Sequence, residues 1–279
     1  MLPEEDLTYG SYLRVPELLA LQRPRSQPPH PEELHFIVVH QALELWMKLL
    51  LHDLERVVAL LDGDGFARAL ALLGRANHIM ASGLEQMRSL HTLPPWDLQQ
   101  FRSYLGTASG SQSQQFRELE LLSGLRDLAY LKALEAEHGG ALPEPLAARL
   151  AQRSLADAHA AAGSRLGLDR VERWADFYQD PGDQAGFYLV CEALVDYDER
   201  WARWRHEHVA LVERTLGDHA RGTGGMALTY LRRTTRYRFF PLLWALRDEL
   251  VVRGGGELTG RPDDGSDDRS DDRPAGEVR

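Results

Sequence analysis

Between Pro31 and about Leu61 the chain places apolar residues nearly all round a helical turn. The stretch Phe36-Ile-Val-Val-His-Gln-Ala-Leu-Glu-Leu-Trp-Met-Lys-Leu-Leu50 is interrupted only by His40, Gln41, Glu44 and Lys48. That pattern predicts a helix at the centre of a bundle rather than on its surface. Pro31 needs no amide donor in a first turn, and Glu32 and Glu33 suit the positive helix end. From Phe66 to Leu90, the positions Leu70, Leu73, Ala76, Met80, Leu84 and Met87 recur at three-four spacing, which predicts a second helix with one buried stripe. A short helix over Leu98–Leu105 should stop at Gly106, and a small-residue loop, Thr107-Ala-Ser-Gly-Ser111, precedes another from about Ser113. More Ala-rich helices are expected at roughly Leu125–His138 and Pro143–Ala162. Gly182–Leu216 reads as a second long helix carrying Trp201, Trp204, His206 and His208, and a final helical pair is split at Pro241.

No period-two run of strand length and no Asn-Gly or Asp-Gly hairpin occurs, so the fold class is all-α, a helical bundle. Leu7–Leu21 is a short arm or helix that ends at Arg23-Pro-Arg-Ser-Gln-Pro-Pro29. From Gly254 the chain is almost free of apolar residues and cannot offset its ordering entropy, which predicts a disordered acidic tail. The expected organisation is one domain over 1–253, with an N-terminal arm to about residue 29, and a tail over 254–279.

Charge narrows the partners. Asp and Glu number 42 against 32 Lys and Arg, a formal charge of -10, opposite to the footprint of a protein that neutralises nucleic-acid phosphates. A single cysteine, Cys191, cannot close an intramolecular disulfide, and Met-Leu-Pro-Glu-Glu-Asp is no signal peptide, so a cytoplasmic address is expected. The apolar run around Leu43–Leu51 is broken by charge well short of the roughly 20 residues a membrane span needs, so no membrane partner is expected.

Two histidines stand out as candidate chemistry. His40 lies among Ile37, Val38, Val39 and Leu43, where an unpaired imidazole is costly to bury; Phe36, one turn away, would wall the same cavity. His208 ends Trp201-Ala-Arg-Trp-Arg-His-Glu-His208. On separate helices facing one cavity, the pair suits a haem with one axial ligand and one distal acid/base group, although core or surface histidines would show the same spacing. His206 and His208 are two residues apart, roughly 200° round a helix, and cannot chelate one ion together. There is no His-Glu-x-x-His, and one cysteine excludes thiolate zinc sites and cysteine-ligated clusters. No nucleotide-binding glycine loop follows a strand. Arg102, at a helix end beside the Gly/Ser loop, could clamp a carboxylate bidentately; by default it is a surface arginine, and Gly222-Thr-Gly-Gly225 by default a turn.

Taken in order, Tyr9-Gly-Ser-Tyr-Leu-Arg14, His40-Gln-x-x-Glu-Leu-Trp46, Phe101-Arg-x-x-Leu-Gly106 with Ser109-Gly110, Trp204-Arg-x-x-His208, Gly222-Thr-Gly-Gly225 and Phe239-Phe-Pro241 resemble the tryptophan 2,3-dioxygenases. The resemblance implies b-type haem with His208 as proximal iron ligand, dioxygen as co-substrate and an aromatic amino acid as substrate. It implies His40 as the distal catalytic residue on the indole N–H, Phe36 against the indole ring, and Arg102 on the substrate carboxylate. Thr223 would hold the carboxylate and ammonium ends, with Leu105 and Ser109 lining the pocket. Tyr9 and Tyr12 match an arm that reaches a neighbouring subunit's site, so a homotetramer with arm exchange follows. No motif is placed between about Leu125 and Asp180.

The chain also departs from that pattern. Leu98 stands where the family commonly has a tyrosine, Ala42 where threonine is common, and Met226-Ala227 where Ser-Ser is usual. Each change makes the pocket less polar. The leading expectation is 2,3-dioxygenation of tryptophan to N-formylkynurenine. The alternatives are a haem monooxygenase adding one oxygen to tryptophan, a methylated tryptophan or another aromatic amino acid, and a non-catalytic haem sensor.

Overall fold

The computed structural model describes residues 7–126, 128–217 and 228–256. All regular secondary structure among them is helical, as the absence of strand patterning predicts. The arm carries two short helices, α1 (Tyr9–Tyr12) and α2 (Val15–Leu19), and the long helices are α3 (Pro31–Asp62), α4 (Phe66–Ser89) and, further on, α11. Between α4 and α11 come α5 (Pro95–Arg102), α6 (Gln114–Ser123), α7 (Leu128–Glu137), α8 (Glu144–Ala151), α9 (Leu155–Arg165) and α10 (Val171–Gln179). Helix α11 covers Ala185–Leu216, and α12 (Leu228–Thr234) and α13 (Pro241–Arg253) complete the order.

Helix α4 packs against both α3 and α11, and these three form the centre. Helices α6 and α9 lean on α3, α12 and α13 on α11, and α5 bridges α3 and α11 at one end. The N-terminus of α3 is fixed from two sides. His30 caps it by accepting from the Glu32 amide at 3.3 Å, and the buried Glu33 carboxylate accepts from the Arg25 amide at 2.7 Å and the Ser26 amide at 3.0 Å. Leu54, Val57 and Leu61 of α3 are fully buried, each contributing roughly 1.5–3 kcal/mol over exposure. Asp53, also buried, accepts a bidentate pair from Arg75 of α4 at 2.7 and 2.6 Å. By length and hydropathy alone α3 could cross a membrane; here it is the middle of the bundle.

Several expectations need correction. Helix α3 is not covered all round: Leu34, Val38 and Leu45 are 46%, 45% and 55% exposed among the described residues. The arm is two helical turns rather than one helix, broken at Arg14, whose φ is +54°. The helix expected over Pro143–Ala162 is two. Helix α8 ends at Ala151, and Ser154 opens α9 with a reciprocal cap, its hydroxyl accepting from the Asp157 amide at 3.1 Å while Asp157 accepts from the Ser154 amide at 2.9 Å. Helix α10 was not expected at all. It puts Trp174 and Phe177 into an aromatic cluster with Phe187 and His159, and Gly163 makes room, since a Cβ there would lie 2.6 Å from the Trp174 ring. The expected tail lies, from residue 257 onward, outside the described residues.

Candidate active site

His40 sits midway along the exposed-to-buried turn of α3, and its Nδ1 is 2.7 Å from the Phe36 carbonyl oxygen one turn earlier. A carbonyl only accepts, so Nδ1 carries the proton and Nε2 keeps its lone pair. Burial holds the His40 pKa below its ordinary value, against the opposing pull of the Phe36 carbonyl and of Glu44, and the ring stays neutral. The Phe36 and His40 rings are 4.1 Å apart between centroids. Phe36 is braced in turn by the fully buried Phe101 of α5, edge-on at 5.9 Å.

His208 lies on α11, with Trp204 one turn and Trp201 two turns before it. Burial pushes its pKa down to about 4, and the Arg117 charge, together with any proton taken up by His40, acts in the same direction. His40 on α3 and His208 on α11, far apart in sequence, are thus brought within electrostatic range. His206 points elsewhere, exposed, with Nδ1 on the Ala202 carbonyl at 2.8 Å, as the helical angle requires.

The turn carrying His208 is locked by neighbours that sequence reasoning missed. Glu207 accepts from Arg88 Nε at 3.1 Å and lies 3.0 Å from His91 Nε2, both from the end of α4 and the turn after it. One turn earlier, buried Arg205 donates to Glu120 of α6 at 3.1 Å, and Glu120 also accepts from Arg117 at 3.0 Å. The Arg205 guanidinium lies over Trp201 and Phe239 at 5.3 and 5.2 Å from their centroids. Glu207 with Arg88 and His91, Arg205 with Glu120 and Arg205 with Phe239 join residues distant in sequence, so no local signal exists for them; Arg117–Glu120 and Arg205–Trp201 lie one helical turn apart. Glu44 is a partial exception, one turn after His40; its carboxylate is held by Gln115 of α6 at 2.7 Å.

Beside Phe36, Leu98, Phe101 and Leu93 form a small apolar cluster against which Phe36, Leu105 and Leu216 pack. The cluster joins α3, α5 and α11, and Leu105 is thereby brought to the Phe36 wall. Leu98 is 7% exposed within it, so the residue that departs from the tyrosine pattern is an apolar packing residue here. Arg102, partly buried, ends α5 directly after Phe101. Ser109 is also partly buried, in the loop after Leu105, its amide donating to Gln112 at 3.2 Å. Tyr9 and Tyr12 are not part of this cluster: they stand 80% and 73% exposed on the arm. Thr223 lies outside the described residues.

Sequence comparison adds an independent line. The profile of the family described as tryptophan 2,3-dioxygenase matches residues 2–136 and 144–250. It runs through most of the segment in which no motif could be placed. Among relatives, the tryptophan 2,3-dioxygenase of Nocardioides sp. is 41% identical over 258 residues, covering 88% of this chain and 95% of that protein. Those of Caulobacter vibrioides and Arthrobacter sp. are 39% and 36% identical over 266 and 267 residues, covering 88% of this chain and 99% and 92% of the relatives.

Proposed function

The chain belongs to the tryptophan 2,3-dioxygenase family, and we propose that it binds b-type haem through His208 and adds both atoms of dioxygen to L-tryptophan. The indole C2–C3 bond is cleaved and N-formylkynurenine is released. The observation that carries the reading is the 2.7 Å contact of His40 Nδ1 with the Phe36 carbonyl: a proton on Nδ1 satisfies that oxygen and leaves Nε2 to accept the indole N–H beside the Phe36 ring.

The donor set fits a haem. Among the described residues no group of three or more His, Cys, Asp or Glu side chains could hold a bare ion, whereas one neutral imidazole completes an iron whose other ligands come from a macrocycle. Trp201 and Trp204 supply aromatic surface on the preceding turns of α11, and Phe116 of α6 packs against Trp201. When bound, the haem supplies the iron that activates dioxygen; the remaining work belongs to the chain. Arg102 binds the substrate carboxylate, with Thr223 assisting at the same end, and Phe36 sets the plane of the indole. Leu105, Ser109 and the apolar cluster around Phe101 and Leu98 line the slot and exclude water, so the ring is positioned before oxygen arrives. His40 holds the indole proton at Nε2.

A homotetramer with exchanged arms is part of the same proposal. On the arm, Leu7, Leu19 and Leu21 are 75%, 68% and 61% exposed alongside Tyr9 and Tyr12, and α3 leaves its Leu34–Val38–Leu45 face bare. Apolar surface of this extent calls for a partner, and a second copy lets the arm tyrosines complete a neighbour's site. The buried, unpaired Cys191 suits a reducing compartment such as the cytoplasm.

The test is anaerobic reduction of the haem protein, addition of L-tryptophan, then isotopically labelled dioxygen and mass analysis. Two labelled atoms in a ring-opened product are expected. One labelled atom would replace this reading with a monooxygenase, and a spectral response without product would replace it with a sensor.

A further inference from the structure

The proline-rich segment between the arm and α3 is tied to both helices that border the proposed substrate slot. On the α3 side, Gln41 donates to the Leu21 carbonyl at 3.3 Å and accepts from the Gln22 side chain, and Glu33 takes the Arg25 and Ser26 amides. The Ser26 hydroxyl also donates to Glu33 and accepts from the His30 amide at 2.7 Å. On the α5 side, the hydroxyl of Tyr104, in the turn directly after that helix, donates to the Gln27 carbonyl at 3.0 Å. The His30 ring lies 5.6 Å from that of Phe101. Gln41 directly follows His40, and Tyr104 comes two residues after Arg102.

A zwitterionic amino acid held at its carboxylate by Arg102 and at its indole N–H by His40 bridges two helices, so its binding depends on their separation. Helices α3 and α5 meet through the Phe36 and Phe101 rings, and apolar contact is non-directional. Hydrogen bonds hold a distance and an angle. Pro24, Pro28 and Pro29 fix φ at three positions of the connecting segment, which limits the freedom lost when it is ordered. We propose that residues 21–30 are a strap that sets the spacing of the His40 turn against the Arg102 turn, with Gln41 and Tyr104 as positioning residues on its two sides. Each acts through its neighbour in the chain rather than on the substrate. The proposal rests on the roles given above to His40 and Arg102. Its consequence is selectivity, because only a ligand that engages both ends of the slot feels the strap.

The test titrates the haem-loaded full chain by calorimetry with L-tryptophan and with tryptamine, the same molecule without its carboxylate. Tyr104→Phe removes one hydroxyl from an exposed position, and Gln41→Met removes an amide at nearly constant length. Each should weaken tryptophan binding by about three- to tenfold, the scale of one hydrogen bond, and leave tryptamine within about twofold of wild type. Deuterium exchange in the same proteins should quicken over residues 21–30 and 98–106 and keep its wild-type rate in α4 and α11. Equal weakening of both ligands, or tryptophan affinity at the wild-type value, would overturn the strap. So would unchanged exchange in Tyr104→Phe. A wild-type protein that binds neither ligand is a different result: it would refute the substrate reading itself, and the strap's role with it.

Discussion

Replacing Asp198 by alanine should unseat the corner at Phe239-Phe240-Pro241 from α11, ten residues before His208. Asp198 is fully buried, and its Oδ2 accepts from three donors: the Phe239 amide at 3.0 Å, the Phe240 amide at 3.2 Å and Trp244 Nε1 at 2.9 Å. Truncation leaves these donors without an acceptor in the interior, at about 1–3 kcal/mol each. Part of that is offset. The other carboxylate oxygen has no hydrogen-bond partner among the described residues, and burial raises the Asp198 pKa above its ordinary value despite the three donors, so removing the group also removes an unfavourable desolvation. The net loss expected for Asp198→Ala is about 2–4 kcal/mol. Asp198→Asn keeps an acceptor oxygen and discards the buried charge, and should cost less than half as much. The sign of the pH effect follows from the raised pKa: the stability Asp198 contributes is full below its unfolded-state pKa and declines as pH rises through the folded value. That decline should vanish in the asparagine variant. Urea unfolding of the three proteins across acidic to neutral pH measures all of this. Equal losses for Ala and Asn, or an Ala variant within about 0.5 kcal/mol of wild type, the scale of an ordinary surface substitution, would refute the tether.

Other expectations are more direct. His208→Ala should purify without haem and regain its absorption when haem and imidazole are added together; a variant that retains haem unaided would remove His208 from the ligand role. Arg102→Ala should raise the tryptophan KM and lower kcat/KM by about 2–5 kcal/mol in transition-state binding, and Arg102→Lys should recover only part of it because an ammonium cannot make the bidentate pair. Loss in kcat alone would speak against a carboxylate clamp. His159, buried against Trp174 and Phe187, has its pKa pushed down by burial from 6.5 to about 4. The unfolded chain therefore binds a proton the folded one does not between those values, and stability should fall by up to about 3 kcal/mol as pH drops through that window. His159→Leu should lose that component of the acid slope, and an unchanged slope would assign it to other groups.

What the sequence made legible is what depends on short-range periodicity. Helices α3, α4 and α11 appear where their stripes predict, and they carry His40 and His208. The break between α8 and α9 had a local signal, Ser154-x-x-Asp157, hidden under a continuous alanine-rich pattern. Helix α10 is nine residues long, too short for its Trp174–Phe177 spacing to stand out from a loop. The bare face of α3 was illegible for a different reason: composition says a residue is apolar, and only the packed chain says whether anything covers it. The contacts that orient the site, Arg205–Glu120, Glu207 with Arg88 and His91, and Phe101 behind Phe36, each join segments far apart in sequence, and nothing in either segment alone names its partner.

Three histidines show why residue identity stops short of function. Burial depresses the pKa of His40, His159 and His208 alike, so all three are neutral imidazoles at pH 7 and each could in principle ligate a metal or accept a proton. Their surroundings divide them. His159 is enclosed by Trp174, Phe187 and Phe240, with Nε2 3.5 Å from the Cys191 sulfur, and has no approach for a ligand. His40 spends Nδ1 on a backbone carbonyl and lies beside the Phe36 ring, the arrangement of a hydrogen-bond acceptor for a flat substrate. His208 is set on a turn fastened at Glu207 and Arg205, with tryptophans on the turns before it, and rigid placement is what an axial ligand requires. The roles follow from which nitrogen is already engaged and how firmly the backbone is held, and neither is written in the spacing of histidines along the chain.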